Sequence, residues 1–380
     1  MNRYRSPFQG ARLRLARTFH GLTLAELGEQ VSASRQYIQK LESDSNASPS
    51  GDMLDALTET LCVEQSFFFE PLVGEVREEE CHFRKLQTTP INVRNRALSN
   101  GTIFNQLVAY FEKELELPKI NIPFIHIKTR EDIERAAEKS RQQWNLSIDA
   151  PIHNMTRTLE RAGCIVTTFK GVSEEVDAFS YFRTRPIIVR NTAKHSISRL
   201  RFDLAHECGH LVIHANLEVG DPYLEEQANQ FASAFLLPRT AFIKEFPRTN
   251  RLVWDKLFQL KKRWGASIQA IVRRAYDLGL ITAVQYRNAY VYISRKGWKR
   301  GEPPSTEPQP EPIEILPTAF ELLKQHRGLT AEKIANNLHV KCSLFEKFEI
   351  PCDNVESVSI ARKAISVKEH PLKHIKVNIN

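Results

Sequence analysis

Apolar positions recur with helical spacing along most of the chain, and two-residue alternation is confined to a short central stretch. Within the first 70 residues, Thr23 and Ser34 are favourable N-cap residues that precede two short segments with helical periodicity. The apolar positions that would be buried between these helices are Leu24, Leu27, Val31, Ile38 and Leu41. Because a brief polar turn joins the two segments, the pattern predicts a helix-turn-helix.

The middle of the chain predicts helices interrupted by three short strands. The strand candidates are rich in β-branched or aromatic residues and cover residues 163–169, 177–182 and 186–189. The helical segments cover residues 103–115, 130–144, 154–162, 202–213, 253–264, 267–278 and 283–290. We therefore expect a mainly α protein with a small β-sheet, which is an α+β fold.

Composition and periodicity divide the chain into segments: a helix-turn-helix unit at 1–70, a helical connector at 71–125, a unit containing the strands at 126–300, a linker at 301–317 and a small helical module at 318–380. The linker is rich in proline and glutamate and has no apolar period, which predicts an extended chain. Residues 329–335 repeat the earlier two-helix pattern but carry no basic face. We therefore assign the last segment only as a helical module.

One pentapeptide inside an apolar helical run carries the strongest chemical signal. His206 and His210 are four residues apart, so a helix presents both imidazoles on one side, where they can reach one metal ion. Glu207 lies between them, where it can take a proton from a water molecule. Glu225 follows on a second predicted helix and supplies a third ligand. Three protein ligands and a water are the open coordination of a catalytic Zn²⁺ site.

Three neighbouring residues have roles that the spacing alone leaves open. Asn229 is one turn after Glu225 and can accept the second ring N–H of a zinc-bound histidine. Glu226 is the rival third ligand. It lies only three positions before Asn229, whereas Glu225 lies four positions before it. His214 is rotated about 80° from His206 on a continuous helix. We interpret His214 as a helix-end residue near the site, with metal ligation as the alternative.

The residues around the pentapeptide resemble the ImmA/IrrE family of zinc metallopeptidases. The resemblance is carried by Arg199, Arg201, Phe202, Ala205, His206, Glu207, Gly209, His210, His214, Glu225, Ala228, Asn229, Phe231, Ala232 and Leu236-Leu237-Pro238. It covers about residues 126–300 and implies a zincin-like domain, in which His206, His210 and Glu225 hold Zn²⁺ and Glu207 is the catalytic base. Cys208 stands where the family often has leucine. We expect it to pack as a small hydrophobic residue, with metal binding and oxidation as alternatives.

The N-terminal unit resembles the Cro/CI-type (XRE) helix-turn-helix domains. The resemblance is carried by Leu22, Thr23, Glu26, Leu27, Ser34, Arg35, Ile38, Leu41 and Glu42. In this geometry the second helix lies in the major groove of DNA, where Arg35, Gln36 and Lys40 are candidate base contacts. Arg12 and Arg17 are candidate phosphate contacts, which supply affinity without sequence information. The alternative is a small helical domain that binds proteins and not DNA.

The net charge of +8 is unevenly distributed. Residues 43–70 carry six acidic and no basic side chains, whereas residues 239–300 carry fifteen basic and three acidic ones. The acidic stretch would face away from DNA. We expect two copies of the chain to form a homodimer through it, since such domains commonly bind two half-sites. The basic stretch is interleaved with aromatic residues. It is either a solvated face paired with acidic segments or a surface for single-stranded nucleic acid.

Composition excludes several classes of protein. No run of about 18 apolar residues occurs, so we expect no membrane span. The polar opening residues favour a cytoplasmic protein over a secreted one. The six cysteines form no C-x-x-C pair, which favours reduced thiols over a disulfide framework or a cysteine-based zinc site. With the two resemblances, we expect a bacterial or phage-derived chain.

These patterns together predict a DNA-binding transcription regulator with a fused zinc endopeptidase. Its partners would be operator DNA and a protein substrate, namely a repressor, an antitoxin-type protein or the chain itself. By resemblance, cleavage would release transcription under stress or in mobile-element control. The alternative is a non-proteolytic regulator or antitoxin whose metal domain is a sensor or scaffold, because an intact site does not prove turnover.

Overall fold

The computed structural model describes residues 6–83, 89–171, 178–190, 196–215, 221–249, 251–299, 301–352 and 375–378. Within these residues the chain is mainly helical and has two small sheets, which confirms the predicted α+β class. In the same described part, no helix has both the length and the apolar character needed to cross a bilayer.

Short, well-capped helices form the N-terminal unit. They are Gly10–Phe19 (α1), Leu24–Gln30 (α2), Arg35–Ser43 (α3) and Gly51–Leu61 (α4), followed by a 3-10 turn at Gln65–Phe69. The Thr23 hydroxyl accepts a hydrogen bond from the Glu26 N–H, and the Glu26 carboxylate accepts one from the Thr23 N–H. Ser34 caps α3 by accepting from the Tyr37 N–H. The two helices predicted on either side of the polar turn are therefore present.

The connector contains a long buried helix, Ile91–Glu114 (α5), between a short strand, Cys81–Phe83 (β1), and a two-residue strand, Leu115–Glu116 (β2). The sequence predicted only the second half of α5. The first half escaped prediction because buried polar residues, among them Asn100 and Thr102, conceal its apolar face. Strand β1 was not predicted at all.

The central sheet contains β1, Ile165–Thr168 (β3), Phe179–Phe182 (β4) and Pro186–Arg190 (β5), in the order β1-β4-β5-β3. Strand β3 is parallel to β5, whereas β4 is antiparallel to both β5 and β1. The three predicted strands are present. Residue 177, the first of the middle predicted strand, lies outside the described residues.

This sheet separates two hydrophobic cores. Val166 and Ile188 belong to the core formed with the helices that follow in sequence. Phe179, Tyr181 and Ile187 belong to a second core, shared with the N-terminal unit, α5 and the C-terminal module. Successive side chains of a strand face opposite sides of a sheet. Because both sides are covered, nearly every residue of β3 to β5 is buried.

The first core is completed by the helices Arg130–Gln143 (α6), Met155–Arg161 (α7), Ile197–Ile213 (α8), Pro222–Leu236 (α9), Arg239–Glu245 (α10), Trp254–Trp264 (α11), Ile268–Asp277 (α12) and Ala283–Arg295 (α13). Helices α8 and α9 pack closely against each other, and α8 also lies on β4 and β5. The pentapeptide is on α8, so its surroundings are set by α9 on one side and by the sheet on the other.

Residues 301–317, which we call the glutamate strap, are fastened to these helices and do not form a free linker. Three of its carboxylates accept hydrogen bonds from N–H groups at helix N-termini: Glu302 from Ile268 of α12, Glu307 from Ser198 of α8, and Glu311 from Met155 and Thr156 of α7. Lys261 is fully buried between Glu302 and Glu307, 2.5 Å from each. The strap is bound because its glutamates satisfy N–H groups that a helix leaves without an internal partner.

The C-terminal module contains Ile315–Arg327 (α14), Ala331–Asn337 (α15) and a 3-10 turn at Cys342–Phe348, and Lys376–Val377 (β6) pairs with β2. Three local features of the N-terminal unit recur 307 residues later. They are a glycine with positive φ (Gly21 and Gly328), a threonine N-cap (Thr23 and Thr330) and a non-glycine residue with positive φ (Ser32 and His339). The module therefore repeats the local structure of α1 to α3.

The repeated unit does not expose the turn that corresponds to α3. The Phe348 ring in this turn packs against Phe19 of α1, Phe104 of α5 and Phe169, which follows β3. The module therefore joins the N-terminal unit to the sheet, and its residues 318–352 present no exposed basic helix of the kind that a second DNA-binding unit would need.

The expectation that all cysteines are reduced is wrong for one pair. Cys342 and Cys352 form a disulfide, with Cα atoms 5.9 Å apart. The other four cysteines are free. The pair was not recognised because its two cysteines are ten positions apart, a spacing that belongs to no cysteine motif.

Candidate metal centre

Helices α8 and α9 bring the predicted ligands together. His206 and His210 occupy successive turns of α8 and are almost completely buried, at 0% and 1% exposure. Glu225 lies in the first turn of α9, which Asp221 caps and Pro222 opens. A side chain at Gly209 would place its Cβ 3.1 Å from the Phe231 ring of α9. The glycine inside the pentapeptide therefore permits the close packing of the two helices.

The three ligand atoms have the mutual spacing of a tetrahedral site. The two histidine Nε2 atoms are 3.1 Å apart, and the Glu225 carboxylate lies 3.3 Å from Nε2 of His206 and 3.2 Å from Nε2 of His210. Ligand atoms bound 2.0–2.1 Å from a tetrahedral Zn²⁺ are about 3.3 Å from one another. The described residues contain no other cluster of three histidine, cysteine or acidic side chains with ligand atoms this close.

The hydrogen bonds made by Nδ1 of His206 and of His210 determine the tautomer of each ring. They decide whether Nε2, which faces the cluster, is an acceptor. His206 donates from Nδ1 to Asn229 Oδ1 at 3.1 Å. His214 donates from Nε2 to Gln227 Oε1 at 2.9 Å, which leaves its Nδ1 to accept from His210 Nδ1 at 3.0 Å. Both Nε2 atoms then carry lone pairs toward Glu225, itself an acceptor. Because three acceptors cannot hydrogen-bond one another, the donor set fits a cation.

The charge state of Glu225 agrees with this fit. Burial raises the pKa of its carboxyl, but positive charge and donated hydrogen bonds at His206 and His210 outweigh burial and hold the pKa well below its usual range. With both Nε2 atoms unprotonated, a cation between them would supply that positive charge. Its Oε2 atom is buried and has no hydrogen-bond partner in the described part of the chain. An ionised, partly unsatisfied carboxylate is the form that ligates a metal.

Glu207 is held by the sheet. It is 1% exposed, and its carboxylate accepts a hydrogen bond from Ser180 Oγ of β4 at 2.7 Å. The adjoining residues of α8 carry the two imidazoles. Glu207 therefore adjoins His206 in sequence and lies on the side of α8 that faces the sheet.

The rival assignments are resolved by the contacts of each side chain. Glu226 is half-exposed and pairs with Arg273 at 3.0 Å, away from the histidines. His214 contacts the site through His210, and burial lowers its pKa, which agrees with a neutral imidazole. Cys208 is fully buried in the core, where burial raises the pKa of its thiol. The expectation that it packs as a small hydrophobic residue is confirmed.

A cavity of about 380 Å³ opens between α8, α9 and α12, and its described lining includes neither the three candidate ligands nor Glu207. Its lining includes Asp203, Asn229 and Arg273. Asn229 is also the partner of His206, so the cavity reaches the residues that support the ligands. A space of this size accommodates a few side chains of a bound peptide.

The predicted DNA contacts fall into two groups. Arg35, Gln36 and Lys40 are exposed on α3. Arg12 and Arg17 are buried, at 5% and 8% exposure, so their assignment as phosphate contacts is wrong. The Arg12 guanidinium donates to the carbonyls of residues 70 and 71 and lies over an aromatic ring. Arg17 donates to both carboxylate oxygens of residue 42, at 2.6 and 2.9 Å.

Much of the charge in residues 239–300 is paired within the protein. Lys261 is buried in the strap, Arg274 binds Glu134, and Arg263 binds Glu245 at 2.8 Å. The aromatic residues of this segment form ring clusters with one another. These contacts favour the interpretation as a paired, solvated face, although exposed lysines and arginines remain.

Sequence reasoning missed the residues that support the site from a distance. Ser180 and Gln227 contact Glu207 and His214, and neither has a spacing that reveals this role. The strap carboxylate Glu307, which caps α8, was also missed. Its only signal was the recurrence of glutamate in a proline-rich stretch that lacks other charges.

Comparison with known families agrees with this geometry. Residues 159–276 match the model of the Peptidase_M78 family, described as an IrrE N-terminal-like domain. The match includes β3 to β5 and both helices that carry the candidate ligands, so this part of the chain is similar to a metallopeptidase domain. No curated protein matches the chain. The N-terminal unit, β1 and the C-terminal module lie outside the matched residues.

Proposed function

We propose that the chain is a zinc-dependent endopeptidase joined to a DNA-binding unit. The observation that carries the proposal is the convergence of His206, His210 and Glu225 at tetrahedral spacing, with Glu207 next to His206 in the sequence of α8. The family match independently supports peptide-bond hydrolysis as the reaction class.

The three ligands would hold Zn²⁺, which supplies polarisation of a peptide carbonyl and lowers the pKa of a water molecule. Glu207 would take a proton from the attacking water as the new carbon–oxygen bond forms. The same carboxyl would then give its proton to the amine nitrogen as the carbon–nitrogen bond breaks. Ser180 would orient Glu207 through its hydrogen bond, and Asn229 and His214 would hold the imidazoles in the required tautomers.

The DNA-binding part of the proposal is supported by α3. Arg35, Gln36 and Lys40 are exposed on a capped helix, and these side chains suit guanine and adenine edges in the major groove. A DNA-binding unit on the same chain would bring the peptidase to an operator. We therefore propose a repressor or antitoxin-type protein bound there, or the chain itself, as the substrate, and a homodimer as the DNA-bound form.

The test is the cleavage of an unfolded protein probe, β-casein, and of the chain itself, by the zinc-loaded full-length protein. We expect Glu207→Gln to abolish cleavage while it retains zinc, because the variant loses the base but none of the ligands. Glu321→Gln is the matched control, since Glu321 is exposed on α14 and lies outside both the cluster and the cavity, and it should cleave as wild type does. Equal cleavage by wild type and Glu207→Gln would overturn the peptidase proposal.

A further inference from the structure

Strand β4 connects the proposed base to the edge of the sheet. One edge of β4 pairs with β5, and the other pairs with β1 in the register Cys81↔Tyr181, His82↔Ser180 and Phe83↔Phe179. Ser180 is the residue whose hydroxyl donates to Glu207. The backbone position opposite Ser180 is therefore the strand position nearest to the proposed base.

Strand β1 does not come from the part of the chain that matches the peptidase family. The match begins at residue 159 and includes β3, β4 and β5, whereas β1 belongs to the connector. Without β1, the outer edge of β4 would present unpaired N–H and C=O groups beside the candidate metal centre. An open edge of this kind pairs with an extended peptide, which gains backbone hydrogen bonds by adding as a strand.

We infer that β1 occupies the sheet edge at which an extended peptide substrate adds as a strand, so the connector competes with substrate for the site. This inference rests on the proposed peptidase function and names the mode of substrate binding and its control. The partner is an unfolded polypeptide segment, bound mainly through its backbone in antiparallel register with β4.

The polar contacts that hold β1 on β4 are few. The strand has three residues, and the ion pair beside it joins Arg183 to Glu80 at 2.9 Å, with side-chain exposures of 28% and 31%. Arg183 also donates to the backbone carbonyl of Glu75. Ion pairs of this exposure contribute little to stability. A competing peptide would form the same ion pair with Arg183 if it carried an acidic residue just before the segment that pairs with β4.

Cys81 packs β1 into the core on one face of the sheet. Its side chain is fully buried in the core that contains Tyr181, whereas Ser180 faces Glu207 on the other side. Because β1 already pairs with the outer edge of β4, a second strand cannot pair there unless β1 leaves.

The experiment measures binding of a fluorescein-labelled peptide with the sequence of residues 75–83 by fluorescence anisotropy. The full-length, zinc-loaded protein is used with the Glu207→Gln change, so the peptide is not consumed. Glu80→Ala weakens only the internal strand, because the peptide keeps its own glutamate. We expect it to lower the peptide Kd by about fivefold, the effect of one ion pair of this exposure. Adding Arg183→Ala should remove this gain.

The matched control is Glu131→Ala, which breaks a comparable ion pair to Arg239 far from the sheet and should leave the Kd unchanged. Hydrogen exchange of the β4 amides gives a second readout: exchange should increase in Glu80→Ala and fall again when the peptide is added. Unchanged peptide affinity and unchanged β4 exchange in Glu80→Ala would overturn the inference. Because neither readout needs turnover, a failure of the peptidase proposal is seen separately, as loss of casein cleavage.

Discussion

Individual residues of the metal centre are oriented by hydrogen bonds that start outside the ligand set. Asn229 holds the His206 ring, and Gln227 acts on His210 through His214. In each case a side-chain amide oxygen accepts a hydrogen bond from an imidazole N–H, and this leaves Nε2 of the ligand as an acceptor. The amides therefore determine the histidine tautomers on which cation binding depends.

Replacement of Asn229 by alanine should weaken zinc binding by about 10- to 100-fold, the usual cost of losing an outer hydrogen-bond partner of a metal ligand. The reason is that His206 loses the acceptor that fixes its tautomer. Competition with a chromogenic chelator measures the affinity. Gln230→Ala, which alters the next residue of α9, is the control and should bind zinc as wild type does. An unchanged affinity in Asn229→Ala would contradict the assigned role.

The convergence of the three candidate ligands could be predicted from sequence because helix periodicity brings His206 and His210 to one side, and the spacing to Glu225 allows a return on a second helix. The contact between Ser180 and Glu207 could not be predicted in the same way. It depends on how α8 lies on the sheet, and no sequence spacing records that arrangement. Arg12 and Arg17 were misassigned for the same reason, because their buried partners are distant in sequence.

Among the secondary-structure elements, α3 makes the most direct prediction about DNA. Arg35→Ala with Gln36→Ala should reduce binding to an operator by at least about tenfold, because each base contact contributes about 1–3 kcal/mol. Arg12→Ala should instead lower the free energy of unfolding, since Arg12 is buried. Fluorescence anisotropy with a selected duplex and urea denaturation measure the two effects. If the α3 variant binds the duplex as wild type does, this helix is not the recognition element.

The charge of Glu307 in the glutamate strap predicts that the free energy of unfolding depends on pH. Burial raises the pKa of Glu307, but the Lys261 ammonium and the Ser198 N–H lower it more, so the net pKa lies below its ordinary value of 4.5. An acid with a depressed pKa stabilises the fold above about pH 4.5 and loses this effect as pH falls through the folded-state pKa.

We therefore expect Glu307→Gln to lower the free energy of unfolding by about 2 kcal/mol at pH 7, through the loss of charge-assisted hydrogen bonds. The difference from wild type should shrink between pH 7 and pH 3, because the wild-type carboxyl becomes protonated as pH falls. Urea denaturation at both pH values measures it. A difference that stays constant over this pH range would show that the Glu307 charge does not contribute.

Across the whole molecule, the sheet connects parts that the sequence presents as separate segments. Its one face packs against the metallopeptidase helices, and its other face belongs to the core of the N-terminal unit, α5 and the C-terminal module. Val63 and Val340 form a β-bridge between the two repeated units. Periodicity predicted the helices and three strands, but it could not predict this arrangement. The segments are joined by long-range contacts, including β1 on β4 and the strap on three helices.

Phe348 lies where these parts meet, so Phe348→Ala should lower the free energy of unfolding by about 3–5 kcal/mol. The ring contacts the N-terminal unit, α5 and the end of β3, and its removal leaves a cavity in their shared core. Phe124→Ala is the control, since Phe124 is 49% exposed and should have little effect. Chemical denaturation followed by tryptophan fluorescence measures both variants. Equal stabilities would contradict the shared core.

The most direct test of the metal centre is the zinc content of the purified full-length protein, measured by inductively coupled plasma mass spectrometry. Convergence of His206, His210 and Glu225 predicts one zinc per chain in the wild type and in Glu207→Gln, and almost none in His210→Ala. A wild-type protein that does not retain zinc after incubation with it, or a His210→Ala variant that retains one equivalent, would contradict the assignment.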